Sequence, residues 1–112
     1  MMNAETQKSF DSVQVGDILV GVMSYSMTFH HFYEVVGKTK CSLKIQRLGQ
    51  YTLSGPQYAT PVKPMIGKRV GQVLTRRVSD CGSMFENGQY STWISIDNKY
   101  DPNKSYEDNY MD

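Results

Sequence analysis

Apolar positions in the first half of the chain fall into short β-branched runs and one strict alternation. After the Gly16-Asp17 turn signal, Ile18, Leu19, Val20 and Val22 form a run too short for a helix. Residues 29–36, Phe-His-His-Phe-Tyr-Glu-Val-Val, predict a second strand rich in aromatic and β-branched side chains. A turn is expected over 37–40. Next, Cys41, Leu43 and Ile45 take one parity while Ser42, Lys44 and Gln46 take the other, the period of a half-buried strand, which Gly49 ends. Three strands joined by short turns predict an antiparallel meander. The second strand carries apolar residues on both parities, Phe32 and Val36 against Tyr33 and Val35, which suits a strand covered on both faces.

The middle of the chain is more broken. Residues 51–64 hold two short strand candidates separated by Ser54-Gly55-Pro56, and Pro61 and Pro64 relegate the second to an edge or a connector. Val70, Val73, Leu74 and Val78 fit a helical face loosely, but Gly67 and Gly71 weigh against a helix, so a strand is expected over 72–78. Asn87-Gly88 is a turn signal, and residues 91–96 predict the last strand. The pattern implies an all-β fold with room for one short helix: a small SH3-like or bent β-barrel built on an antiparallel meander. Residues 1–12 are expected as a flexible leader, 13–100 as a single barrel-like domain, and 101–112 as an acidic tail carrying Tyr106 and Tyr110.

Composition changes this picture little. At 112 residues the chain has the size of one domain, and eight Tyr, four Phe and one Trp supply bulk that a disordered chain lacks. No run approaches the roughly 18 apolar residues of a membrane span, and the first 15 residues lack the apolar stretch of a signal peptide. A cytoplasmic protein is expected, with Cys41 and Cys81 as free thiols in a reducing compartment.

Charge changes it more. The formal net charge is only +1, yet residues 36–78 carry nine cations and no acid. These are Lys38, Lys40, Lys44, Arg47, Lys63, Lys68, Arg69, Arg76 and Arg77. Residues 79–112 carry seven acids against two lysines. Such a segment can face nucleic acid, face an acidic protein partner, or be neutralised by the acidic last third of its own chain. The near-neutral total favours internal balance.

Candidate chemistry is sparse. His30-His31 invites a metal, but neighbouring strand residues point to opposite faces, and neither CxxC nor HxxxH spacing is present. Neither cysteine stands at a strand-to-helix elbow where a nucleophile would be activated, and the phosphate-cradling and hydrolase glycine motifs are missing. The reading is therefore non-enzymatic, without cofactor or metal. Aromatic residues beside cations leave base stacking open.

The stretch from Val15 to Leu48 resembles a family of small phage and mobile-element proteins of unassigned function, a likeness that spans roughly residues 13–106. Gly16, Asp17 and Ile18 match its opening, and Tyr25, Thr28, Phe32, Tyr33 and Val35 match its middle. Weaker likeness runs through Pro61, Val62 and Lys63 and returns at Ile94, Ser95 and Tyr100. Where the family has a polar Trp-Gly-Tyr-Asp-Gln-Thr-Asn segment, this chain has Met-Ser-Tyr-Ser-Met-Thr-Phe over 23–29. The resemblance implies a phage accessory protein acting in a host cytoplasm. The loss of polar groups there suggests an apolar surface for a host protein, bound and modulated in takeover or counter-defence. Tyr25, Met27, Phe29, Lys44, Arg47, Arg76 and Arg77 are the expected partner-binding residues. The alternative is a nucleic-acid-binding module that uses residues 36–78.

Overall fold

The computed structural model describes residues 2–24, 28–53, 59–87 and 91–109. One helix, α1 (Ala4–Ser12), precedes eight strands: β1 (Ile18–Ser24), β2 (Thr28–Lys38), β3 (Ser42–Thr52), β4 (Ala59–Arg69), β5 (Leu74–Arg77), β6 (Ser83–Phe85), β7 (Trp93–Lys99) and β8 (Tyr106–Asn109). All pairings are antiparallel, and β1, β2 and β3 form the expected meander. The Gly16-Asp17 signal is a real turn. Gly16 has φ 101°, a conformation that costs a residue with a Cβ. The Asp17 carboxylate accepts from the Gln14 N–H at 2.8 Å.

The two long strands are shared between neighbours. One edge of β3 pairs with β2, while β5 and then β4 follow each other along the opposite edge, with the Val70 N–H on the Arg47 carbonyl between them. β2 likewise pairs with β1 along one edge and with β3 and β8 along the other. Because β8 also pairs with β4, strands β2, β3, β4 and β8 close a small ring. The other end of the sheet stays open, with β7 on β1 and β6 on β7.

Apolar residues on both parities of β2 therefore find cover on both faces. Phe32 points toward the ring with Val20, Leu48, Val62 and Tyr106. Tyr33 and Val35 point to the opposite face, packing with Leu19, Leu43, Ile45, Ile94 and Ile96 under Phe10 and Val13 of the helical end. Phe32, Val35, Leu43 and Ile45 of the meander are all buried. The strand expected over 72–78 is present as β5.

Three segments differ from expectation. The leader is a docked helix: the Asn3 side-chain oxygen caps it by accepting from the Thr6 N–H at 2.8 Å, and Phe10 is buried. The acidic tail contributes β8, with Tyr106 buried among aromatic rings. Pro61 and Pro64 do not exclude β4 from the interior of the sheet. It pairs on both sides, and the Pro61 carbonyl, which needs no N–H, accepts from Leu53 at 2.8 Å. Among the described residues no helix is long and apolar enough to cross a membrane.

Candidate functional site: a charged groove at the open seam

The expected partner-binding residues do not form one surface. Tyr25 and Met27 lie outside the described residues. Phe29 is half-buried on β2 opposite Met23. Lys44 and Arg77 are exposed on one face of the β3–β5 pair, opposite Thr75 and Ser42 respectively. Arg47 and Arg76 have the other parity and share the face of Leu43 and Ile45. The alternation of β3 thus divides the four cations into two pairs.

Arg47 and Arg76 meet at Glu86, just after β6. Arg47 Nη2 lies 2.6 Å from Glu86 Oε1, and Arg76 Nε donates to the Glu86 main-chain oxygen at 2.7 Å. A second donor of Arg76, Nη1, reaches back to the Thr75 carbonyl at 3.0 Å. Arg76 therefore spans the seam between β5 and β6, the two ends of the strand order. The seam holds a groove of about 600 Å³, lined by Arg47, Arg76, Glu86 and Asn87 with Val70 and Leu74.

Tyr33 lies behind Arg47, with the guanidinium 5.9 Å from its ring centre. The ring fits because residue 21 is glycine: a Cβ there would stand 2.8 Å from Tyr33 Cε2 and 2.6 Å from Thr92 Cγ2. Tyr33 is 0% exposed, and burial above all pushes its pKa up to about 12, although nearby Arg47 and Thr92 pull it back. Both contacts are loose: the Tyr33 hydroxyl leans on Arg47 and Thr92, but neither it nor the buried Arg47 Nε completes a hydrogen bond of good geometry among the described residues. Burial works against the Arg47 charge, but Tyr33 and Glu86 outweigh it and raise its pKa. His31, on the same face of β2, is shifted down by burial and then by the Arg47 charge. At neutral pH the site holds a protonated phenol, a fixed cation and a neutral imidazole.

Internal pairing takes up part of the basic segment. Besides Arg47 and Arg76, Arg69 Nε lies 3.9 Å from Glu34 Oε2. Lys38 Nζ donates to the Phe10 and Val13 carbonyls at 2.6 and 3.0 Å, at the C-terminal end of α1. Lys40, Lys44, Lys63, Lys68 and Arg77 remain exposed.

The histidines point apart, as alternation requires. The His30 Nδ1 faces Asp108 at 3.4 Å, whereas His31 feels Arg47 and Gln50. Among the described residues no group of three or more His, Cys, Asp or Glu is placed to hold a metal ion. Cys41 and Cys81 are free thiols. The Cys81 sulfur sits 3.2 Å from Ser79 Oγ and 3.3 Å from Ser83 Oγ, and these hydroxyls lower its pKa.

Sequence reasoning missed Tyr33, His31 and Glu86 as site residues. The signal available for Glu86 was its isolation as an acid ahead of the Asn87-Gly88 turn, at the end of a strand. The fold and groove define a small antiparallel β-barrel with a cationic seam. No family model, curated protein or solved structure matches the chain.

Proposed function

We propose that this chain is a non-enzymatic accessory protein that binds and modulates another protein, in the phage–host setting that its family resemblance implies. The observation that supports this most is the seam groove. Two arginines on its floor hold a carboxylate and a main-chain carbonyl, and the exposed apolar side chains of Val70 and Val73 belong to the connection beside it. Charged floor groups with an apolar border suit peptide recognition better than the uniform positive surface that tracks a phosphate backbone.

The test is capture by the tagged full chain from a bacterial lysate, with and without nuclease. One stoichiometric protein is expected to survive nuclease and to be lost with Arg76→Gln. It is expected to persist when Lys63 and Lys68 are replaced by glutamine. A signal abolished by nuclease would instead make the exposed lysines the working surface of a nucleic-acid-binding module.

A further inference from the structure

Glu86 satisfies Arg47 only in part. An arginine fork offers a carboxylate two parallel N–H groups, and the Nε side is one of its two-donor faces. Here one Glu86 oxygen engages Nη2, while the buried Nε completes no hydrogen bond and the guanidinium has only a loose contact with the buried Tyr33 hydroxyl behind it. A desolvated arginine donor held only by a loose contact is costly, and a native site that tolerates one has a reason to keep it. Beside it, Arg76 bridges Thr75 and Glu86 carbonyls across the seam. Among the described residues, β5 and β6 each have a single strand neighbour, so strand edges border the groove.

We propose that the groove receives an extended acidic segment of a partner protein, and that Glu86 is an internal stand-in for the partner's carboxylate. On binding, the incoming carboxylate takes Nε and Nη2 of Arg47 together, and Glu86 swings out. An extended backbone suits the site because strand edges offer main-chain hydrogen bonds to a chain laid beside them. This inference rests on the protein-binding reading above and specifies the chemistry of the partner. It also gives the contact a regulatory sense, since the chain holds its own groove closed until an acidic competitor arrives.

Fluorescence anisotropy with the full-length chain tests it, using a labelled peptide of alternating Glu and Val and its Gln-for-Glu counterpart. The Glu peptide is expected to bind the wild type and to bind Glu86→Gln about tenfold more tightly. That factor follows if the open groove is roughly a tenth of the population. Arg47→Lys, which keeps the charge but loses the fork, is expected to abolish the gain while melting normally. The Arg47 Nε–H resonance is expected to shift on titration of the wild type. Equal affinity of wild type and Glu86→Gln, or equal binding of the Gln peptide, would overturn the proposal. So would no binding at all, or a single-stranded oligonucleotide showing the same Glu86→Gln gain. If lysate capture of a protein survives Arg47→Lys while the peptide fails, protein binding stands and the seam is not its site. Loss of nuclease-resistant capture in the wild type removes the protein-binding reading itself.

Discussion

At the scale of single residues, Tyr33 separates what burial does from what hydrogen bonding does. Its hydroxyl is desolvated and makes only loose contacts with Arg47 and Thr92, so removing it costs little at neutral pH. Phenylalanine at this position is expected to leave stability unchanged or to raise it by up to about 1 kcal/mol. The same burial makes the folded state bind the phenolic proton more tightly than the unfolded chain, whose phenol titrates near 10. The folded state thus holds more protons between pH 10 and about 12. This contribution is complete below pH 10 and is lost as pH rises through that window. A two-unit shift corresponds to about 3 kcal/mol. Urea unfolding of wild type and Tyr33→Phe, near neutrality and at about pH 11, checks both halves. The wild type should lose more stability than the variant on going alkaline. Equal losses, or a strong neutral-pH penalty for Phe, would show that the hydroxyl has found a partner.

At the scale of elements, α1 gives a similarly direct test. Four features fix it: the Asn3 cap, Glu5 in the first turn, buried Phe10, and Lys38 from β2 over both the Phe10 ring and the final carbonyls. A flexible leader would make substitutions there silent. Instead Phe10→Ala is expected to cost about 3–5 kcal/mol in chemical denaturation, and Asn3→Ala about 1 kcal/mol. The contrast shows what a sequence displays at this scale. The Leu43–Ile45 alternation in β3 and the β-branched run of β1 were readable because each strand repeats its own burial pattern. The helix has only Thr6 and Phe10 buried along its length, too few to show a period, and its anchor lies on a strand remote in sequence. Arg47 and Arg76 could be named from the basic run. Alternation along β3 and β5 already parts Arg47 from Lys44 and Arg76 from Arg77, but that Arg76, not Arg77, joins Arg47, and that both meet at Glu86, needed the register of β3 with β5. Register is a property of paired strands, not of one segment.

At the scale of the whole molecule, the tail decides whether the ring closes. β8 lies between β4 and the start of β2, and it brings Tyr106 against Phe32 and Tyr100 with ring centres 5.6 and 5.7 Å away. Asp108, 5% exposed, accepts the His30 N–H at 2.8 Å and ties this last strand to the second. A carboxyl group held inside by a main-chain donor is a site-specific latch, since the same group unpartnered would be expelled to water. Removing residues 104–112 would uncover one side of the ring core and leave edges of β2 and β4 without partners. The shortened chain is expected to melt at lower temperature and to unfold in urea with a smaller slope, because less surface remains to be exposed. Tyr106→Ala in the full chain should lie between the two, losing about 3 kcal/mol with the ladder kept. A solvated acidic tail would predict the opposite, an unchanged slope and midpoint after truncation. That outcome would separate the ring from the stability of the meander and leave the β1–β2–β3 sheet with α1 as the cooperative unit.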